Sequence, residues 1–129
     1  MATLKYKYFI ILIIFILFNK TYAAPVNGNL VSLHVLDKVT SRVEIIEIPV
    51  GQIVEFASLR IEILLCKRRP PEEVPEDFVL LRIYEEINPE NLETVFQGWM
   101  ISSSPTVAPF EHPTYDVWVK DCKIDIESE

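Results

Sequence analysis

Leu59-Arg60-Ile61-Glu62-Ile63-Leu64-Leu65-Cys66 is the stretch on which the fold turns. Leu59, Ile61, Ile63 and Leu65 alternate with Arg60 and Glu62. Side chains of an extended chain point to opposite faces in turn, so this pattern reads as a half-buried β-strand that closes at Cys66. Upstream, Val31, Leu33 and Val35 alternate with Ser32 and His34 in the same way, and Asp37 to Ser41 offers turn residues. Arg42 to Ile48 resumes a strand, and its doubled Ile45-Ile46 suggests a slip of face at a β-bulge. Pro49-Val50-Gly51-Gln52 is a loop before a short strand, Ile53 to Phe56. Downstream, Lys67 to Asp77 mixes charges with Pro70, Pro71 and Pro75 and reads as an exposed loop. Phe78 to Tyr84, apolar on both faces except at Arg82, is a central strand. Glu85 to Leu92 reads as a turn, Thr94 to Ile101 and Tyr115 to Cys122 as strands, and Ser102 to Pro113 as irregular. The expectation is an all-β domain over residues 29–123, a small β-sandwich or barrel of about seven mostly antiparallel strands with one disulfide.

The first 23 residues belong to a different class. Lys5 and Lys7 precede an unbroken apolar run, Phe9 to Phe18, and small Thr21 and Ala23 follow. A cationic start, a short apolar core and a small-residue exit form a secretory signal, with cleavage expected after Ala23. The run falls short of the about 20 residues that a membrane span needs. The alternative is an uncleaved anchor, the one route by which the chain would touch a membrane. The expected organisation is a signal at 1–23, a flexible start at 24–28, the β domain, and an acidic tail at 124–129. Either way the domain is exported, and a periplasmic location is expected.

Export sets how Cys66 and Cys122 are read. Two cysteines in an oxidising compartment suggest a disulfide. With His34 and His112 they would make four zinc ligands, but without the close paired spacing of zinc motifs. Two free thiols are the remaining alternative. Beyond residue 23 the chain carries nine Lys/Arg against nineteen Asp/Glu, a net charge of −10. Such acidity argues against nucleic acid as a partner, because neutralising phosphates needs clustered cations.

Several strings look familiar together: Leu36-Asp37-Lys38-x-Thr40, Pro49-Val50-Gly51-Gln52, and Arg69-Pro70-Pro71-Glu72-Glu73-x-Pro75-Glu76 after Cys66. Phe96-x-Gly98-Trp99-Met100, Ser103-x-Pro105 and Glu111-His112-Pro113-x-Tyr115-Asp116-Val117-Trp118 complete them, ending at Cys122. The chain thereby resembles, over residues 36–123, an alphaproteobacterial family of exported proteins catalogued as a domain of unknown function. The stretch Thr106 to Phe110 departs from that pattern. The resemblance implies the extent of the domain and its paired cysteines, and implies no activity, substrate or partner.

The segment from Gly98 to Asp121 is the richest in chemistry. Ser102, Ser103 or Ser104 with His112 and a nearby carboxylate would supply the parts of a small hydrolase. However, the serines lack the glycine-flanked elbow that presents a nucleophile, and a serine turn beside a loop-tethering histidine explains the same residues. A metal could use His112 with Glu111, Asp116 or Asp121, but Pro113 breaks any helix that would face 112 toward 116, and an extended chain sets them about 13 Å apart. Trp99 and Trp118 could stack a small ligand, or could serve the core rim with their N–H groups bonded. His34 sits on the polar face and receives no role. Lys67-Arg68-Arg69 is a basic triplet that could meet an acidic partner or pair with Glu72, Glu73 and Glu76. No catalytic residue, metal site or cofactor is assigned. The reading favoured is a non-catalytic binding or structural module of the cell envelope, contacting another envelope protein or a cell-wall component. Its expected surface is Trp99, Ser103, His112, Tyr115, Asp116 and Trp118, presented on a loop stiffened by Pro105, Pro109 and Pro113.

Overall fold

A computed structural model describes residues 2–21, 23–105, 110 and 112–124. Glu111, Pro109 and the acidic tail from 125 onward lie outside the described residues. Before the strands lies one helix, α1 (Ala2–Leu17), none of whose residues is buried. The rest is all-β: β1 (Val26–Asn27), β2 (Leu30–Asp37), β3 (Arg42–Pro49), β4 (Ile53–Phe56), β5 (Leu59–Arg68), β6 (Asp77–Asn88), β7 (Asn91–Ile101) and β8 (Tyr115–Lys123). The seven expected strands are present, together with a two-residue eighth, β1.

The strands form two sheets, so the sandwich, not the barrel, is the architecture. One sheet runs β1-β5-β6-β7 with β4 also on β5, the other β3-β2-β8, and every pairing is antiparallel. The core lies between them. Leu59, Ile61 and Ile63 of β5 and Val79, Leu81 and Ile83 of β6 face Val31, Leu33 and Val35 of β2 and Val117 and Val119 of β8. Removing these branched apolar side chains from water is the main stabilising term, about 1.5–3 kcal/mol for each fully buried one.

Four local readings are corrected. Glu85 to Leu92 is not a loose turn: β6 and β7 continue as a long hairpin to Asn88 and Asn91. Residues 24–28 are not a free start, because Val26 and Asn27 pair with Arg68 and Lys67, and the Gly28 amide donates to the Cys66 carbonyl at 2.9 Å. Ile45-Ile46 is no bulge. β3 pairs with β2 residue for residue, and on an edge strand Ile45 can point outward while Ile46 packs on the core.

The fourth correction concerns the deciding strand itself. Leu65 does not share the inner face of Leu59, Ile61 and Ile63; it is 42% exposed. The register shifts between Ile63 and Leu65, leaving Leu64 with no residue opposite. Adding one residue inverts the parity of everything after it. Cys66, which would otherwise point outward with Arg60 and Glu62, therefore points into the core. β8 repeats the device: Val117 and Val119 point inward, the register shifts past Lys120, and Cys122 points inward in its turn. The two inverted cysteines meet as a disulfide between the sheets, with Cα atoms 5.9 Å apart, inside the usual 4.4–6.8 Å range.

The same pairings orient the long connection before β8. β7 ends, at Ile101, beside Phe78 at the disulfide end, while β8 starts, at Tyr115, beside Asp37 at the opposite end. The chain must therefore return the full length of the sandwich between them, about 26 Å for eight residues of strand rise. Topology explains a length that the sequence alone attributes to function.

Candidate functional site

The residues expected to form one surface separate into three places. Trp99 and Ser103 lie toward the disulfide end, His112, Tyr115 and Asp116 at the opposite end, and Trp118 on the outer face of the three-stranded sheet.

At the opposite end, His112 is 8% exposed and engaged on all sides. Its Nδ1 accepts the Thr114 and Tyr115 amides at 3.1 and 3.3 Å. The ring proton therefore sits on Nε2, 2.9 Å from Glu85 Oε1, to which it is donated. The ring lies in a ladder of aromatics. Phe96 meets Phe110 edge-on, Phe110 stacks on His112, His112 on Tyr115, and Tyr115 meets Phe56 edge-on, with centroids 5.5–6.2 Å apart. Lys38 closes the assembly, donating to the His112 carbonyl at 2.8 Å and pairing with Asp116 at 3.0 Å. This ladder caps the end of the core.

At the disulfide end, Glu76 is the centre of the serine turn. Its carboxylate accepts the Ser102 hydroxyl and the Ser103 amide, each at 2.9 Å, and the Ser103 hydroxyl as well. Burial alone would raise the Glu76 pKa, but the Ser103 and Ser102 hydrogen bonds, with the positive charge of Arg69, outweigh it and hold the carboxyl below its ordinary value. The neighbouring Asp77 goes the other way. Burial raises its pKa, Arg68 at 3.3 Å and the Cys122 amide only partly oppose this, and the charges of Asp121 and Glu76 add to it.

These contacts take apart the hydrolytic constellation. Both nitrogens of His112 are engaged by Glu85 and backbone amides, and Ser102 and Ser103 bond to Glu76 near the far end of the sandwich. The serine–histidine pair that acyl transfer needs is not assembled. Asp116, offered as a metal ligand, instead pairs with Lys38. The two indoles do not share a pocket. Trp118 stacks on His34 with centroids 5.2 Å apart, and both sit outward on the three-stranded sheet in register with Ile45. His34, which received no role, is thus the support of that indole.

Trp99 is different. It is 42% exposed on the outer face of the five-stranded sheet, in register with Leu80, which is in turn in register with Leu65. The bulge that turns Cys66 inward thus turns Leu65 outward, onto this face. Beside them Trp99, Phe78, Pro25 and Lys67 line an open pocket of about 290 Å³. A second pocket, of about 370 Å³, is bordered by Val26, Arg68, Arg69, Pro71, Pro75 and Ile124. Arg69 lies 5.6 Å over the Phe78 ring and so joins the two.

Sequence reasoning missed Glu85, Glu76, Lys38 and Phe110. Glu85 had a readable signal: it continues the inward parity of Val79, Leu81 and Ile83, and a carboxylate on a core-facing position needs a donor. Lys38 acts on His112 and Asp116, distant in sequence, and Phe110 lies on no periodic element that would aim its ring at His112, so neither had one.

An uncharacterized protein of Rickettsia prowazekii (strain Madrid E), RP359, is 32% identical over 96 residues, covering 74% of this chain and 60% of its own length. The chain thus matches about three fifths of that relative. No solved structure matches. The family model described as "Uncharacterized protein conserved in bacteria (DUF2155)" matches residues 31–122, which run from the first core residue of β2 to the second cysteine. The aligned segment is thus the sandwich itself, and the chain belongs to the DUF2155 family.

Proposed function

We propose that this chain is an exported cell-envelope protein that works by contact and not by catalysis, through the outer face of the five-stranded sheet at its disulfide end. Export is supported by the cationic, apolar leader and by the buried disulfide, a bond that persists in oxidising compartments. No helix among the described residues is long and apolar enough to cross a membrane. The observation that carries the contact reading is the outer-face row Leu65–Leu80–Trp99, exposed at Leu65 and Trp99 and half-buried at Leu80, beside the pocket of Phe78 and Lys67. Exposed aromatic side chains set in an apolar patch with a cationic rim are what protein interfaces concentrate. The occupant is an envelope protein or a cell-wall component.

The test has two arms. Cell fractionation with mass spectrometry should place the mature protein in the periplasm, beginning at Ala24; a chain retaining Met1 in the cytoplasm removes the export reading. A photo-crosslinking residue placed at position 99 in living cells should capture an envelope component that the same residue at Val43, exposed on the other sheet, does not. Equal capture at both positions, or none at 99, removes the contact face.

A further inference from the structure

We propose that the pocket beside Trp99 binds an acidic peptide segment, with a bulky apolar side chain against Trp99 and Phe78 and adjacent carboxylates on Lys67 and Arg69. The inference rests on the contact reading above and names the chemistry of its partner. The argument is one of complementarity. Outside the leader the chain is strongly acidic, and most of its cations are already used: Lys38 pairs with Asp116, Arg60 with Glu55 and Glu86, Arg82 with Glu62, Lys123 with Glu47 and Arg68 with Asp77. Among the described residues, Lys67 and Arg69 have no carboxylate within ion-pair distance. Glu76 attracts Arg69 through its charge but makes no ion pair with it, its oxygens accepting from the serines instead. Glu73 borders the second pocket, not the first.

The chain thus leaves two cations unpaired beside its exposed tryptophan. Lys67 lines the pocket itself, and Arg69 is held over Phe78, which lines it too. A planar guanidinium on an aromatic ring keeps its donors outward for a carboxylate. The overall negative charge disfavours a long polyanion, whose phosphates would meet the acidic remainder. A short carboxylate-bearing segment meets only the two cations. An apolar pocket of this size accepts one large side chain, and β1 beside it places Pro25 on this pocket and Val26 on the second.

The probe is an array of short peptides in which Leu, Phe or Pro is flanked by Asp and Glu, with Lys-flanked and apolar-free counterparts. It is read by the fluorescence anisotropy of dye-labelled peptides, which needs no tryptophan, and the tryptophan emission of the full chain in a Trp118→Phe background reports occupancy at Trp99 itself. Acidic peptides with an apolar centre should bind, should weaken as salt rises, and should lose about tenfold or more in affinity with Trp99→Ala and with Lys67→Glu. Circular dichroism melts of both variants should match the parent. Binding of the Lys-flanked series, or acidic binding indifferent to Trp99→Ala and Lys67→Glu, overturns the proposal. So does fluorescence change only with phosphatidylglycerol–phosphatidylcholine vesicles, which assigns the face to a lipid surface. If position 99 crosslinks to an envelope component in cells yet no acidic peptide binds, the partner class is wrong and the contact face stands. If neither occurs, both fall.

Discussion

His112 is gripped by Glu85 below, by two amides beside it, and by Phe110 and Tyr115 on its faces. Its replacement by alanine opens a cavity in the aromatic ladder and leaves the Glu85 carboxylate without its donor. Truncating a buried ring and orphaning a part-buried carboxylate together cost about 2–4 kcal/mol. The expected result for His112→Ala is a melting temperature lower by at least about 8 °C, with the binding of Trp99-directed ligands unchanged at temperatures where the variant is folded. A normal melt would show that the ladder is not part of the stabilising structure. Glu76 and Asp77 make a second test at this scale, because their pKa values move in opposite directions. Glu76, held below its ordinary value, adds stability above the unfolded carboxylate pKa and loses it as pH falls through its own lowered value. Asp77, held above its ordinary value, costs stability at neutral pH, and that cost is relieved as pH falls through its raised value. Urea unfolding at neutral pH should therefore find Glu76→Gln destabilised by about 1–3 kcal/mol. Asp77→Asn should stay within about 1 kcal/mol of the parent, and it should remove the part of the pH dependence that favours acid. Equal losses in the two variants would contradict this account.

At the scale of the strand, two single-residue bulges aim the cysteines. Deleting Leu64 removes the extra residue, so Ile63, Leu65 and Cys66 would lie opposite Leu81, Leu80 and Val79 in unbroken alternation, with Cys66 still inward. The expected outcome is a disulfide that persists, with no thiol reacting with a maleimide in the native protein. Two reactive thiols would mean that Leu64 is not the extra residue that sets the direction of Cys66. This device also explains what the sequence disclosed and what it hid. Period-2 alternation in β2 and β5 exposed the strands, and the even cysteine count suggested the bond. The parity of Cys66 relative to Ile63, read literally, placed the sulfur on the solvent side. A bulge has no composition of its own, and only the pairing to β6 reveals it. The grouping of the site failed for a related reason. Trp99, His112 and Trp118 are near in sequence, but β7 and β8 belong to different sheets and the chain between them crosses the length of the molecule. Nearness in sequence there means the reverse of nearness in space. Glu85 was legible from its inward parity, whereas Phe110 and Lys38 were not, since neither lies on a periodic element.

For the molecule as a whole, the disulfide closes a loop of 56 positions and ties one sheet to the other. Chain-entropy arithmetic for that loop is worth about 4 kcal/mol, a large share of the stability of a small domain. The Cys66→Ala/Cys122→Ala double variant should lose about that much in urea unfolding, less if its unfolded state is compact. Gly28 seats on the bond: a Cβ there would overlap the Cys122 sulfur and lie 2.8 Å from the Cys66 sulfur and the Lys123 carbonyl oxygen. Gly28→Ala should therefore either displace β1 or leave the thiols open, with mass spectrometry after alkylation separating the two.

The closing contact of that end is the Asn29 amide on the Lys123 carbonyl, at 3.0 Å. It places the entry to the sandwich beside its exit, so the fold is a closed circuit that happens to be cut there. A glycine linker from Ile124 back to Ala24 would keep β1 on β5, and the cut could be moved to the turn between Asn88 and Asn91, where neither sheet would lose a pairing. Such a circular permutant should fold with the same disulfide, and its new ends would emerge far from Trp99. What is grafted onto those ends would no longer crowd the face where the partner is expected to sit.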